Sequence, residues 1–484
     1  MYYVIMEAKK LSKKVIQYAI ILAFMLLFQF LPPMGPVTPI GMKILGIFIG
    51  CIIGWAFGEQ TWPSLLAVFL LGMMEGSSVP GTFAAAMGNG TVHMVLLCLV
   101  ICAALSSCGL IDYLCKKILS TRFARKGPWA LMTAFWIAGA LSCGLTNGTV
   151  VIVILLWNIF YELVDRLNLE KDSPYVAVGI IGIAITCYLG GNIMPYSSFV
   201  QICWGVMAAA DPNATINPNS YILFQLILNA VLIPVLALFC KFVLRIKADY
   251  DVPANLFSKE DLKMTQKLRT MIIYLVILIL MLILPNFMPG TPVAKFLNQM
   301  SLVGAFVIII VALAITPDGE GGRMIDIGKA FTQVPYGLLF VVATALTMAG
   351  QLTNEATGIP VLLNNVLAPI TKIGSPYMIV AVMVFVSVIL TNVVNNIVCA
   401  TIMIPVSVIL MQNAGIHPAV LIALLCTTLQ QGIVVPSGSV FGAMLHGIDG
   451  YITSKSVYKF GIILELFLGL VIGLGGTALA QLIF

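Results

Sequence analysis

Two stretches decide how this chain folds: "ALSCGLTNGTVVIV" (Ala140–Val153) and "SVILTNVVNNIVCATIMIP" (Ser387–Pro405). Each is apolar along most of its length, carries hydroxyls and amides at its centre, and contains no charge. Such a centre has two physical readings. Ser, Thr and Asn can hydrogen-bond neighbouring membrane helices together as glue. They can also line an enclosed cavity that receives charges from outside. The context of the two stretches, and whether their spacing repeats, decides between these.

The context is a membrane. The chain has 484 residues, 60% of them hydrophobic and only 9% charged, with a mean hydropathy of +1.06. Soluble domains run near about 25% charged. Long apolar runs such as Val15–Leu31 and Phe460–Phe484 recur throughout, which predicts an all-α polytopic membrane protein. The runs are continuous and not alternating, which excludes a β-barrel. The 11 cysteines lie mostly within apolar segments and form no C-x-x-C pair, so they read as small buried hydrophobes, not disulfides or zinc ligands. The net charge of +6 comes from loop residues and does not point to nucleic acid.

Basic clusters at Lys9–Lys14, Lys116–Lys126 and Arg245–Arg269 mark the cytoplasmic side. Threading from there gives about 11 transmembrane helices, with the N-terminus cytoplasmic and the C-terminus outside. Of the 25 lysines and arginines, all but Lys43, Lys241, Lys295 and Lys372 then fall in cytoplasmic loops, and Lys241 sits at a cytoplasmic helix end. The first segment is followed by "LPPMGP" (Leu31–Pro36) with no small-residue cleavage site, so it is expected to stay as a transmembrane helix. A further helix is expected over 299–316. The setting this implies is a multi-pass protein of a bacterial inner (plasma) membrane.

The halves repeat. "NGTVHMVLLCLVICAALSSCGL" (Asn89–Leu110) resembles "PYGLLFVVATALTMAGQLTNEATGI" (Pro335–Ile359), with Gly109 and Gly358 at the same point. Counting 38 residues on from each glycine reaches Asn147 and Asn396. The matching "LTN" strings, at Leu145–Asn147 and Leu390–Asn392, are therefore out of register. The true pairing gives Ser142…Thr146–Asn147 and Thr391…Asn395–Asn396. A second echo follows: "LGGNIMPYSSF" (Leu189–Phe199) and "QQGIVVPSGSV" (Gln430–Val440) pair Gly191 with Gly432, Pro195 with Pro436, Ser197 with Gly438 and Ser198 with Ser439.

Residues 128–165 and 375–416 each carry a polar centre, and in the first both ends bear cytoplasmic-type charge. Re-entrant hairpins with tips near Ser142–Asn147 and Thr391–Asn396 fit better than single spans. Residues 175–210 and 417–447 each hold a proline that breaks a helix. The chain thus divides into an N-terminal helix (1–34), a first repeat (35–245), a cytoplasmic linker (246–269) and an inverted second repeat (270–484). Inverted repeats with interrupted helices are the build of secondary transporters. Half-helices that begin at a break aim free N–H groups at anions, while exposed carbonyls, hydroxyls and amide oxygens suit Na⁺.

Other features carry less. His93, His417 and His446 are isolated, although His446 closes the second broken helix, where a proton could act. Asp112 and Glu355 read as interfacial. "DPNATINPN" (Asp211–Asn219) holds an outside N-x-T triplet, and "GEGG" (Gly319–Gly322) lacks the strand–helix context of a phosphate cradle. No metalloprotease, nucleophile-elbow, P-loop or paired-acid motif is present, so an enzyme is not expected.

Over roughly residues 35–484 the sequence resembles the divalent anion–sodium symporter family of dicarboxylate, citrate and sulfate transporters, within the ion transporter superfamily. That family's Ser-Asn-Thr tips match here as Thr146–Asn147–Gly148 and Asn395–Asn396–Ile397. Gly148 and Ile397 stand where the family has a threonine. The broken-helix loops match as Ser197–Ser198 and Gly438–Ser439. The resemblance implies one Na⁺ near Ser142, Thr146, Asn147 and Ser197, and another near Thr391, Asn395, Asn396 and Gly438. It places the anion among Asn147, Gly148, Ser198, Asn396, Ile397 and Ser439. It further implies a homodimer in the lipid bilayer, an elevator-type mechanism and Na⁺-coupled symport, with Na⁺ as coupling ion and no prosthetic group. A Na⁺-independent exchanger on the same fold, kept open by Asn395 in place of the family serine, and a carrier of another anion such as sulfate are the alternatives.

Overall fold

The computed structural model describes residues 2–253, 256–258, 261–319, 321–371 and 375–484. Lys259, Lys372 and the Glu320 of the "GEGG" loop lie outside the described residues. Among the described residues every extended element is helical, with one isolated β-bridge between Pro317 and Arg323. Among the described residues, ten helices are long and apolar enough to cross a membrane.

Many of these helices start with the same local device. Thr38–Pro39, Ser173–Pro174, Asn217–Pro218 and Thr291–Pro292 each place a side-chain oxygen on a free N–H, followed by a proline at the first helical position. The cap satisfies a donor that the helix leaves open, and the proline lacks the donor that would otherwise be orphaned there.

Burial sorts the helices into two populations. Pro174–Gly191 is 94% buried, whereas Gln266–Phe287 and Pro292–Ile315 are only 33% and 28% buried. A helix that is apolar all round and also buried belongs at the centre of the bundle. The first broken helix is therefore at the core, and the Gln266–Ile315 pair is peripheral.

The first hairpin consists of Pro128–Thr146 and Thr149–Arg166. Its arms lie side by side: Phe135 and Phe160, on either side of the tip, meet edge to face at 5.4 Å. Both open ends face the linker, with Lys126–Trp129 beside Arg245–Asp249, and Glu162 and Arg166 beside Leu256 and Phe257. The second hairpin, Pro376–Val393 and Asn396–Asn413, opens toward the other face. Gln412 Nε2 there donates to Asp211 Oδ2 at 2.7 Å.

The broken helices tie these faces together. The first runs from Pro174 to Gly191 and from Ser198 to Ala210. It starts at the linker face, where the Tyr175 and Tyr250 hydroxyls are 2.8 Å apart, and ends beside Asp211 on the opposite face. The second consists of Ala419–Thr428 and Val440–His446. It starts just beyond Gln412 and returns to the linker face, where Thr453 Oγ1 donates to Asp172 Oδ2 at 2.9 Å. The two units therefore cross in opposite directions. Gly109 and Gly358, paired by the sequence register, both adopt left-handed backbone, φ +76° and +68°, in which a β-carbon is disfavoured.

One element departs from expectation. The helix read as 299–316 begins earlier, at Pro292, and is interrupted at Ser301, where φ is 56° and ψ 178°. That region is populated almost only by glycine and costs on the order of 1–3 kcal/mol. A serine in an apolar run gives no local sign of it.

Candidate functional site

The first tip is built on Asn147. It ends the first arm in left-handed backbone (φ 53°, ψ 15°), with its N–H on the Cys143 carbonyl at 2.8 Å. Asparagine tolerates this conformation better than any other residue type except glycine. Its amide reaches into the break of the first broken helix. Ser197 Oγ donates to Asn147 Oδ1 at 3.1 Å, and Asn147 Nδ2 donates to Ser198 Oγ at 3.4 Å. Thr146 Oγ1 donates to the Ser142 carbonyl at 2.7 Å, and the Gly148 N–H reaches Thr146 Oγ1 at 3.4 Å. Ser142 and Thr146 are buried. Thus Ser142, Thr146, Asn147, Gly148, Ser197 and Ser198 form one cluster. Two glycines permit it: a β-carbon on Gly190 would stand 2.0 Å from the Ala140 carbonyl oxygen, and one on Gly144 3.0 Å from that of Gly190.

The second tip resembles the first in content but not in backbone. Here the break falls at Val394 and Asn395, both extended, and Asn395 caps the second arm by accepting from the Ile397 N–H at 3.0 Å. Asn396 is the first residue of that arm. Thr391 Oγ1 donates to Asn396 Oδ1 at 2.9 Å and sits 2.5 Å from the Leu429 carbonyl, while Asn396 Nδ2 donates to the Gln430 carbonyl at 3.3 Å. Gly438 closes the cluster, its β-position 3.0 Å from the Thr391 carbonyl oxygen. Ser439 accepts from the Gly442 N–H at 3.1 Å. Thr391, Asn395, Asn396, Ile397, Gly438 and Ser439 are thus gathered as well.

Neither cluster holds a charged side chain. The helices that begin at the breaks with Thr149, Ser198 and Asn396 have no acidic residue in their first turns, so their free N–H ends stay electropositive.

The sequence reading missed several residues. Tyr188, on the first broken helix, stacks its ring on Phe441 of the second half at 4.2 Å, two residues from Ser439. It sets the first broken helix against the second cluster, and nothing in its local sequence marks it. Gln431 is fully buried, and neither its amide oxygen nor its nitrogen has a hydrogen-bond partner among the described residues. Asn392 donates to the Val388 carbonyl and accepts from the Val434 N–H at 2.9 Å, tying hairpin to break.

Glu465 is also buried, with neither carboxyl oxygen partnered among the described residues. Gly461, one turn earlier, abuts Val434 in the second break, and Gly469, one turn later, abuts Val388 of the second hairpin. Its signal was present in the sequence: it is the single acid in "GIILELFLGLV" (Gly461–Val471). Of the histidines, His446 holds the Val434 carbonyl at 2.9 Å and leans on Tyr458. His93 and His417 are exposed. Asp112 pairs with Lys116 at 3.0 Å.

The model of the citrate transporter family, CitMHS, matches residues 1–428. A sequence comparison with curated proteins finds no match. In three dimensions the chain is similar to the YdaH transporter of Alcanivorax borkumensis, whose crystal structure is described as having an unusual topology. The identity is 16% over 90% of this chain and 98% of that one, with a TM-score of 0.57. It is also similar to MtrF of Neisseria gonorrhoeae, from a class described as antimetabolite efflux pumps. There the identity is 14% over 93% and 97%, with a TM-score of 0.52. At such identities the likeness shows a shared membrane-transporter fold. The chain belongs to the citrate transporter family: it is a multi-pass integral membrane carrier of an anion, and not an enzyme.

Proposed function

We propose that this carrier is a Na⁺-coupled symporter of a small di- or tricarboxylate, with citrate the first candidate from the family description. One observation carries the reading. Two oxygen- and amide-lined clusters lie at helix breaks with no charged side chain, and the helices that start at them, Ser198–Ala210 and Asn396–Asn413, pack on one another. A neutral pocket of that kind leaves the charge to its cargo. In the first cluster Ser142, Thr146, Asn147 and Ser197 supply oxygens for one Na⁺. In the second, Thr391, Asn395, Asn396 and the Gly438 backbone do so for another. The anion lies between them, against Asn147, Gly148, Ser198, Asn396, Ile397 and Ser439, with Tyr188 spanning both halves.

Net charge is costly to carry through hydrocarbon, so Na⁺ and anion travel together. Their coupling is reciprocal: Na⁺ raises anion affinity by the factor by which the anion raises Na⁺ affinity. Residues 35–245 and 270–484 serve as the two inverted repeats. Hairpins and broken helices move as one body past the remaining helices, in an elevator-type alternation, within a homodimer in a bacterial inner membrane.

The test is uptake of labelled citrate into proteoliposomes. A Na⁺ gradient should drive accumulation, and replacing Na⁺ by choline should cut net uptake at least tenfold. Undiminished net uptake in choline rules Na⁺ coupling out, and exchange that needs internal anion instead identifies the Na⁺-independent exchanger. A panel with other dicarboxylates and sulfate fixes the cargo.

Glu465 favours a second reading, in which a proton takes the part of one Na⁺. Carboxyls buried at membrane depth are rare and mark ion and proton paths. Uptake driven by a pH gradient in choline, and lost in Glu465→Gln, identifies this variant of the mechanism.

A further inference from the structure

The interruption at Ser301 opens onto a cavity that also reaches Pro195, beside the first cluster. A half-enclosed cavity of about 320 Å³ lies between the first broken helix and the peripheral Gln266–Ile315 pair. Pro195, Gln201 and Trp204 line it on one side, and Asn286, Asn298 and Ser301 on the other. Its position is fixed by the elements around it. Pro218 and Asn286, near the helix ends at the face opposite the linker, line its mouth. Pro195 lies in the break itself, two residues before Ser197.

Two features mark the cavity as wet. Irregular backbone at membrane depth persists only where protein encloses it or water bathes it, and the Ser301 break opens here, about ten residues into its helix. Asn298 and Ser301 are both exposed, and they line this space. The volume has room for roughly ten waters at about 30 Å³ each, or for a small anion with part of its hydration shell. Gln201 stands one turn beyond Ser198, its Nε2 on the Pro195 carbonyl at 2.6 Å, so the floor of the cavity adjoins the Asn147–Ser198 pair.

We propose that this cavity is the aqueous vestibule through which a small carboxylate anion reaches Ser198 and Asn147 from the face opposite the linker. The inference rests on the site reading above. Ser301 keeps its unfavourable backbone because the break hollows the peripheral helix and offers polar groups to a passing hydrated anion. Gln201 supplies a donor along the way.

Single cysteines at Asn298 and Ser301, in the full-length chain in sealed membrane vesicles, test this with a membrane-impermeant methanethiosulfonate reagent. Asn213→Cys marks the face opposite the linker and Ser258→Cys the linker face, with the unsubstituted chain as the background. Both Asn298→Cys and Ser301→Cys should react from the Asn213 side only. Citrate should slow the reaction at least threefold. Labelling should cut citrate uptake at least tenfold relative to the same variant before labelling. No reaction, reaction from the Ser258 side alone, or labelling that leaves uptake intact overturns the vestibule and leaves the site reading standing. A variant that carries no citrate is still judged by the side of labelling and by citrate protection. Failure of the site reading is seen separately, as unchanged uptake in Asn147→Ala of the otherwise unsubstituted chain.

Discussion

Gly190 and Ala140 touch through their backbones: a β-carbon on Gly190 would lie 2.0 Å from the Ala140 carbonyl oxygen. This contact seats the first broken helix on the first hairpin and so sets the distance between Asn147 and Ser197. Gly432 seats the second hairpin in the same way: a β-carbon there would lie 2.3 Å from the Thr391 carbonyl oxygen. Gly190→Ala and Gly432→Ala are each expected to destabilise the fold by about 1–3 kcal/mol, as forced overpacking does, or to prevent folding. Gly475→Ala, with nothing within 4 Å, is the control expected to be neutral. Thermal unfolding in detergent compares the three.

Asn147 combines a backbone role with a side-chain role, and two substitutions separate them. Asn147→Gly keeps the left-handed tip available but removes the amide that Ser197 and Ser198 engage. Asn147→Ala removes the amide and strains the tip by about 1–2 kcal/mol. Both should lower citrate uptake at least tenfold. Only Asn147→Ala should also lower the unfolding temperature. If Asn147→Gly transports normally, the amide does not touch the cargo or its coupling ion.

Tyr188→Phe keeps the ring on Phe441 and deletes a hydroxyl close to the second cluster. The fold should be unaffected, and citrate KM should rise several-fold with little change in maximal rate. That pattern reports lost binding of the cargo, at about 0.5–1.5 kcal/mol for a hydrogen bond. An unchanged KM removes Tyr188 from the site.

The linker is docked by Asp261. It accepts from the Ser258 hydroxyl and N–H, and it pairs with Lys116 Nζ at 3.0 Å. The Ser258 hydroxyl, then Lys116, hold its carboxyl down to about 2. A depressed carboxylate contributes fully above the unfolded value near about 3.9 and loses that contribution as pH falls through its folded value. The linker should therefore resist proteolysis from neutral pH down to about pH 4, and loosen between there and about pH 2. Asp261→Asn should expose it to cleavage at neutral pH, read by a neutral-pH protease and by hydrogen exchange across the acid range.

The parts of this architecture that showed in the sequence are those where membrane physics forbids coincidence. Uncharged polar islands in apolar runs, and Pro195 and Pro436 with their glycines, are tolerated at depth only for a reason, and their spacing repeats. Glu465 belonged to the same class of signal. Tyr188, Gln431 and Ser301 did not. Tyr188 is one aromatic among apolar neighbours until the fold brings Phe441 to it. Ser301 takes its backbone from the cavity it faces, and not from its own residue type. The shared register of Asn147 and Asn396 was legible, but their unequal backbones were not, because caps depend on where each helix stops.

That inequality has a consequence for the ligand. One tip turns on a left-handed asparagine, the other on an extended valine–asparagine pair capped from within. A valine at position 147, such as the Val394 of the second tip, would be forced to φ near +53°, a genuine steric outlier. The two copies can no longer trade parts. A symmetric ligand would therefore meet two different hosts.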